Sequence, residues 1–160
     1  MSDREFAVIT PHLPGQPKLG RKRRVCLRSV ISGIFCVLQS GCAWTNLPKD
    51  FPPKSTVYSY VRRFYKDGTW ARIHDALYVD CRDLEGREPQ PTAAIIDSQS
   101  VKTGTSAKGD VGKKVKGRKR HILVDTVGLL LRCDVHSAGI QDRDGACRLF
   151  DGLAMRFPFL

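Results

Sequence analysis

Hydrophobic residues recur at two spacings along this chain, and the spacing changes near residue 88. From Val25 onward, apolar side chains return every three or four residues, as they do on the buried face of a helix. Two more stretches with this spacing follow, and the last of them ends by Gly86. The pattern predicts three helices joined by short connections. The residues expected to face their core are Val25, Ile31, Ile34, Phe35, Leu38, Trp44, Val57, Tyr60, Val61, Phe64, Trp70, Ile73, Ala76, Leu77 and Leu84.

Residues that cap or interrupt helices set the expected helix ends. Gly41 ends the first helix, because glycine readily takes the left-handed conformation of a C-terminal cap. Ser55 or Thr56 caps the second by accepting a hydrogen bond from a free backbone N–H, and residues 67–69 separate it from the third. Residues 1–24, rich in Pro and Gly and ending in a basic run, are expected to form a flexible lead-in.

Beyond residues 88–92, which two prolines stiffen, the pattern becomes that of extended strands. Residues 93–97 form a short apolar run that ends in a carboxylate, as expected for a buried strand at the edge of an apolar core. Two further apolar stretches flank a compact turn at Val127 and Gly128. The pattern predicts one strand, a basic loop and then a hairpin.

After the hairpin, Asp142 or Asp144 is expected to cap a last helix that runs through Met155 and ends before Pro158. Service as a second metal ligand is the alternative for these two carboxylates, but their position before a helical run favours capping. The sequence thus predicts an α+β protein. Its expected parts are a lead-in (1–24), a helical domain of three helices (25–87) and a segment of three strands and one helix (88–160).

The charge balance indicates the class of partner. Lys and Arg number 27 against 16 acidic residues, a net charge of +11, which favours nucleic acid because each phosphate contact releases a condensed counterion. No apolar stretch approaches the roughly 20 residues that cross a bilayer, and the N-terminus lacks the order of a secretory signal. We expect a cytoplasmic protein that does not bind membranes, with its six scattered cysteines reduced and mostly buried.

Basic side chains concentrate in two places. One group lies on the second helix, away from its apolar face, and three helices with such a basic flank resemble the helix-turn-helix class. The other precedes the second strand, where Gly112 and Gly117 allow close approach to a phosphate chain. A merely solvated helix face and a solvated loop remain the alternatives. The predicted DNA-binding residues are Arg62, Arg63, Lys66, Lys113, Lys114, Lys116, Arg118, Lys119 and Arg120.

Asp97 is the main candidate for chemistry. A carboxylate that follows a buried strand is costly unless it is paired or binds a cation, and Mg²⁺ prefers such oxygen ligands. The alternative is an Asp that bonds only to Ser98, Ser100 or nearby backbone. His121 and His136 have no partner at metal-ligand spacing and are expected to pack or to form hydrogen bonds, and Asp125 is expected to serve in the turn.

Longer strings of residues resemble one family, the insertion-sequence transposases of the IS-five group, which is related to the IS-four group. Three strings resemble their N-terminal region: residues 40–48 (SGCAWTNLP), 51–58 (FPPKSTVY) and 67–77 (DGTWARIHDAL). Three others resemble the start of their catalytic domain: residues 94–102 (AIIDSQSVK), 117–125 (GRKRHILVD) and 136–145 (HSAGIQDRDG).

This resemblance implies an RNase H-like core whose DDE carboxylate triad binds two divalent ions, Mg²⁺ or Mn²⁺, and catalyses cleavage and transfer of DNA strands. Asp97 matches the first Asp of the triad and is the implied catalytic residue and metal ligand. In the family the second Asp lies in a Trp-Ala-Asp-Gly-Gly-Tyr type motif and the Glu lies beyond it. Neither motif occurs in this sequence.

Because two-metal catalysis needs several converging carboxylates, we expect an N-terminal transposase portion with an incomplete RNase H-like segment that is inactive alone. The implied partners are transposon-end DNA, a downstream transposase portion and, in the complete enzyme, further copies of itself. Two alternatives stay open: a basic DNA-binding regulator that competes at transposon ends, and an independent metal nuclease that pairs Asp97 with Asp142 or Asp144. An upstream reading frame, a decayed remnant and a split gene are equally compatible with the sequence.

Overall fold

The structure, a computed structural model, describes residues 1–20, 22–102 and 117–160. Within these ranges the chain forms two compact units, Met1–Leu77 and Tyr78–Leu160. The first unit is helical, and the second combines helices with an antiparallel sheet, so the predicted α+β class is confirmed.

Helices build the first unit, and the fourth of them also contributes residues to the second unit. Their bounds are Asp3–Ile9 (α1), Leu27–Ser40 (α2), Lys54–Lys66 (α3) and Thr69–Leu84 (α4). Short 3₁₀ turns lie at Thr10–His12 and Trp44–Asn46. The three helices that apolar periodicity predicts correspond to α2, α3 and α4.

The helix ends agree with the expectation at two places and differ at one. Gly41, with φ of 63°, ends α2 in the left-handed conformation and donates its N–H to Val37. The Asp67 carboxylate accepts a hydrogen bond from the Thr69 N–H at the start of α4. The expectation of a Ser or Thr cap for α3 is wrong, because the helix begins at Lys54 and Pro53 is its N-cap residue. The Pro53 carbonyl oxygen accepts the first hydrogen bond of the helix, from the Val57 N–H.

Helix α1 lies where a flexible lead-in was expected. Ser2 and Glu5 form a reciprocal capping box, in which the Glu5 N–H donates to Ser2 Oγ and the Ser2 N–H donates to the Glu5 carboxylate. Ile9 is buried and packs in a cluster with residues of α2, α3 and α4. The lead-in is therefore folded over this stretch. The Ser-x-x-Glu spacing at residues 2–5 is the sequence pattern that indicates the start of this helix.

The core of the first unit forms where α2, α3 and α4 meet. Val30, Ile31, Val57 and Phe64 are fully buried there. Both tryptophans pack against these clusters, as expected. Three residues expected in the core are instead exposed. Phe35 and Leu38 lie on α2 outside the face that the neighbouring helices cover, and Leu84 is the last residue of α4.

A three-stranded antiparallel sheet in the order β1-β2-β3 is the centre of the second unit. Its strands are Ala94–Lys102 (β1), Gly117–Asp125 (β2) and Leu130–Ser137 (β3). The predicted strand and hairpin are confirmed, with Gly128 at φ of 89° in the turn. Strand β1 continues past the predicted end at Asp97, because its polar second half pairs with β2 as far as Gly117.

The expected last helix is broken into three short pieces. They are α5 (Asp142–Cys147), a 3₁₀ turn (Arg148–Phe150) and α6 (Leu153–Arg156). The break falls at Gly152, which adopts a left-handed φ of 69°. Neither Asp142 nor Asp144 caps the helix, because both lie inside the first turn of α5. The N-cap residue is Gln141, whose side chain forms no capping hydrogen bond.

Asp125 does more than shape the hairpin turn. It accepts hydrogen bonds from the Val127 and Leu129 N–H groups, as expected of a turn residue, and one from the Tyr78 hydroxyl at 2.9 Å. It also forms a buried ion pair with Arg82 at 2.5 Å. Burial raises the pKa of Tyr78 to about 12. Burial alone raises the pKa of Asp125, but hydrogen bonds led by the one from Leu129 outweigh it and lower that pKa overall.

The cysteines differ from the expected burial. None of the six is buried: Cys26, Cys133 and Cys147 are exposed, and the other three are partly exposed. All six are free thiols, as predicted. In the part of the chain that the structure describes, no helix is both long and apolar enough to cross a membrane.

Candidate functional site

Asp97 lies in the middle of β1, not at a strand end. Its register partner in β2 is Ile122, and its side chain is exposed. The Ser98 N–H donates to Asp97 Oδ1 at 2.8 Å. The expectation of a carboxylate buried at the edge of an apolar core is therefore wrong, because the face of the sheet that carries Asp97 is open.

The two faces of the sheet differ in character. Side chains alternate along a strand, and in β2 one set is buried from Gly117 to Asp125 while the other is partly or fully exposed. We call the buried set the covered face and the other the open face. The open face combines exposed apolar side chains with charged ones. Its members are Ile95, Asp97, Gln99, Val101, Arg118, Arg120, Ile122, Val124, Cys133 and Val135.

Two of the predicted DNA-binding arginines share the open face with Asp97. Arg118 and Arg120 are exposed, and Arg120 donates to the Gln99 side chain at 2.7 Å. Gln99 lies two residues beyond Asp97, which places the Arg120 register position roughly 7 Å along the strand from Asp97. Asp97, Arg120 and, further along the strands, Arg118 are thus displayed on one face of the sheet.

Asp142 belongs to the covered face. Its Oδ1 lies 2.9 Å from Lys119 Nζ, and the Ser98 side chain hydrogen-bonds to it as well. The hydrogen bond from Lys119 is the main reason that the pKa of Asp142 lies below its usual value. Because Ser98 and Asp97 alternate across β1, Asp97 and Asp142 lie on opposite faces and do not converge.

Lys119 differs from the expectation of a DNA-contacting side chain. It is only 3% exposed, and its ammonium donates to the Ile140 carbonyl at 2.9 Å as well as pairing with Asp142. The ammonium group is therefore engaged within the second unit and unavailable to phosphate in this conformation. Three other lysines of the predicted cluster, Lys113, Lys114 and Lys116, lie outside the described residues.

His121 and His136 form a stacked pair on the covered face, so the expectation that they pack and hydrogen-bond is met. Their ring centroids are 4.9 Å apart and His121 Nδ1 lies 2.8 Å from His136 Nε2. His136 Nδ1 lies 2.9 Å from the Ser137 carbonyl oxygen. Burial, followed by the neighbouring His136, lowers the pKa of His121.

Gly145 of α5 lies directly against the two imidazoles. A Cβ atom there would come within 2.5 Å of both His121 Cε1 and His136 Nε2. Gly145→Ala is therefore expected to destabilise the protein by about 1–3 kcal/mol through overpacking, although alanine in a helix otherwise gains about 1 kcal/mol over glycine. Urea unfolding measures this, with Gly15→Ala as the control because nothing lies within 4 Å of that position. Equal stability of both variants would contradict the close packing.

The basic flank of α3 is exposed as predicted. Arg62, Arg63 and Lys66 line a shallow groove of about 560 Å³ together with Ser59 and Asp67. Arg63 Nε lies 4.0 Å from Asp67 Oδ2, a loose contact between exposed groups. The groove thus presents three cations, one carboxylate and a hydroxyl group to solvent.

The residues present do not fit a divalent-ion site of the kind that DDE chemistry uses. Two-metal sites need several carboxylates around two ions, whereas Asp97 is a lone exposed carboxylate and Asp142 lies on the other face. Across residues 1–20, 22–102 and 117–160, no three His, Cys, Asp or Glu side chains are grouped closely enough to hold a metal. No catalytic step through a metal follows from these residues.

Two families match successive parts of the chain. The family described as "Putative transposase of IS4/5 family (DUF4096)" matches residues 1–74, and the family described as "Transposase DDE domain" matches residues 88–158. A similar protein is the insertion element IS402 uncharacterized 16.2 kDa protein of Burkholderia cepacia, 28% identical over 109 residues that cover 64% of this chain and 72% of that protein.

No solved structure matches the chain. The family matches nonetheless cover both units in the order that the sequence motifs predict. Over both units the chain is similar to transposases, and the matches support a relation to the IS4/5 transposase family.

Proposed function

We propose that this protein binds duplex DNA at transposon ends, with strand cleavage dependent on carboxylates that its described residues do not bring to Asp97. The observation that carries the proposal is that a chain similar to transposases exposes clusters of cationic side chains. The net charge of +11 supports it, because phosphate contacts dominate protein–DNA affinity.

In the first unit, α3 is the proposed DNA-contacting helix of a helix-turn-helix-like arrangement. Its buried face, with Val57 and Phe64, holds it against α2, while its opposite flank carries Arg62, Arg63 and Lys66 toward solvent. Arginine reaches both phosphates and guanine edges in the major groove. The predicted contacts of this helix therefore include phosphate positioning and base recognition.

In the second unit, an RNase H-like arrangement is the proposed context for Asp97. The open face offers Arg118 and Arg120 beside that carboxylate, so a DNA backbone neutralised by the two arginines would pass close to it. Lys119 is left out of this proposal because its ammonium is buried against Asp142.

Asp97 is proposed as the first carboxylate of a DDE set, and Mg²⁺ or Mn²⁺ as the ions that the full set holds. Since one carboxylate fixes neither ion number nor geometry, further carboxylates have to come from a downstream transposase portion or from another copy in an oligomer. The independent-nuclease alternative is disfavoured because Asp97 and Asp142 lie on opposite faces of the sheet.

A salt titration of DNA binding tests this proposal. In the logarithm of affinity against the logarithm of salt concentration, each lost phosphate contact lowers the slope by roughly 0.9. Changing Arg62, Arg63 and Lys66 to Gln should therefore flatten the slope by up to about 3 units. The Arg118→Gln/Arg120→Gln pair should flatten it by up to about 2 units.

The matched control neutralises three exposed cations elsewhere, Lys18, Arg87 and Arg143. It removes the same charge as the first triple variant but should leave most of the slope intact. Equal flattening by both triple variants would show that net charge alone, rather than the α3 flank, drives binding. Tight binding without any cleavage in the presence of Mg²⁺, even after a downstream transposase portion is supplied, would favour the regulator that competes at transposon ends.

A further inference from the structure

The hydrogen bonds of the stacked pair fix which ring nitrogens carry protons. The Ser137 carbonyl oxygen can only accept, so His136 Nδ1 donates to it. In neutral His136 the Nε2 atom is then an acceptor, and its bonding partner, His121 Nδ1, must donate. In neutral His121 the remaining nitrogen, Nε2, therefore carries a bare lone pair.

That bare nitrogen is buried and faces a carboxylate. His121 is 1% exposed, and its Nε2 is a buried polar atom without a hydrogen-bond partner. The nearest acidic atom, Asp142 Oδ1, lies 3.7 Å away. A lone pair cannot donate to a carboxylate, so Nε2 can form a hydrogen bond with Asp142 Oδ1 only after it takes up a proton.

The surrounding charges make that proton costly. On β2, the Lys119 ammonium already occupies Asp142 Oδ1 at 2.9 Å. On β3, Asp134 is the register partner of His121, but it is paired with Arg148 of the 3₁₀ turn at 2.7 Å. On β1, the facing residues Ser98 and Ser100 are uncharged. On α5, Asp142 lies within 3.7 Å of His121, and its side chain is 58% exposed. Arg143 and Asp144 are exposed and pair loosely with each other.

We propose that His121 is a proton-operated latch between α5 and the sheet. Uptake of a proton at Nε2 turns this atom into a donor aimed at Asp142, which then has to be shared between two buried cations. Gly145 packs against the rings and His121 is 1% exposed, whereas the Asp142 side chain is 58% exposed, so movement of α5 away from the sheet exposes the new charge to water. Release of α5 also releases the Asp142 contact with Ser98, the residue next to Asp97 on β1.

The direction with pH follows from burial and charge. Burial first, and His136 and Lys119 beside it, lower the pKa of His121 below its ordinary value of 6.5, although Asp142 opposes them. A histidine whose pKa is lowered by folding stabilises the folded state fully above its unfolded pKa. That contribution is lost as the pH falls below about 6.5 and through the lower folded pKa. Acidification, rather than alkalinity, opens the latch.

The first test uses the unmodified full chain. Ring ¹⁵N spectra should show both histidines as Nδ1-protonated tautomers at pH 8, and His121 should titrate below the usual range for histidine. Hydrogen exchange of the α5 amides, corrected for its intrinsic pH dependence, should lose protection on acidification. Each unit by which the pKa of His121 is lowered corresponds to a loss of about tenfold.

Variants separate the latch from simple packing. Lys119→Met removes the competing cation and should raise the pKa of His121 and weaken the acid-induced loss of protection. Asp142→Asn removes the attracting anion and should lower that pKa further. The double variant His12→Gln/His74→Gln changes the two histidines outside the pair and should keep the wild-type pH profile.

Three outcomes would overturn the latch. One is a neutral His121 found with its proton on Nε2. The second is α5 protection that does not change between about pH 5 and 7.5, the range over which histidines titrate. The third is a shift of the pKa of His121 in the same direction in Lys119→Met and Asp142→Asn. The spectra of the unmodified chain decide the first two even if a variant fails to fold.

Discussion

Arg82→Met is expected to lower the free energy of unfolding by about 3–5 kcal/mol, because it leaves one partner of a buried ion pair without its counter-charge. The Arg82 and Asp125 side chains are 7% and 0% exposed, so the stranded Asp125 carboxylate would have no compensating water. The change also removes the donor that Arg82 Nε offers to the Glu88 carbonyl oxygen. Chemical denaturation followed by circular dichroism measures the loss.

A matched control comes from the exposed ion pair of Arg143 with Asp144. Their side chains are 85% and 61% exposed, and such pairs contribute at most about 1 kcal/mol, so Arg143→Met should have a small effect. A loss in Arg82→Met no larger than in Arg143→Met would contradict a stabilising role of the buried pair. The lowered pKa of Asp125 adds a pH signature: its contribution is complete at neutral pH and disappears as the pH falls below about 4.

Local periodicity was sufficient for the helices and the hairpin. Helices α2, α3 and α4 each carry an apolar face with strong three- and four-residue spacing, and the left-handed glycines at positions 41 and 128 mark a helix end and a turn. Such signals depend on neighbours within one turn of chain, which the sequence displays directly. The exposed flank of α3 was predictable for the same reason.

The covered face of the sheet was not predictable in this way. Lys119 and His121 alternate with exposed residues of β2, but the sequence does not state which set a helix will cover. His136 reaches His121 from 15 residues away, and only the strand register brings the two rings together. Asp142 was therefore interpreted as a helix cap, although its strongest contact is with a lysine of β2.

The position of Asp97 was misjudged for a related reason. An apolar run before a carboxylate suggested a buried strand at the edge of an apolar core, whereas Ile95 is 57% exposed on the open face. Backbone pairing with β2 extends β1 through polar residues that have no apolar signal of their own. Hydrophobic pattern identifies a strand more readily than it identifies which of its faces is covered.

Asp97→Asn is expected to abolish strand cleavage in a reconstituted assembly. The assembly contains this chain, a transposase portion that supplies the remaining DDE carboxylates, and transposon-end DNA. Asparagine keeps the size of the side chain and removes its charge, and loss of a single catalytic group commonly costs about 1,000-fold or more in rate. DNA binding should stay nearly unchanged, because the proposed phosphate contacts come from Arg62, Arg63, Arg118 and Arg120. Parallel cleavage and salt-titration assays separate the two effects.

Asp144→Asn provides the matched control, since it removes one exposed carboxylate from α5 and should leave cleavage intact. Asp142→Asn should act only through the stability of α5, because its carboxylate faces Lys119 on the other side of the sheet from Asp97. Cleavage by Asp97→Asn at the wild-type rate would refute the assignment of Asp97. Robust, metal-dependent cleavage by the 160-residue chain alone that requires Asp142 would instead mean that the two carboxylates converge in a conformation different from this one.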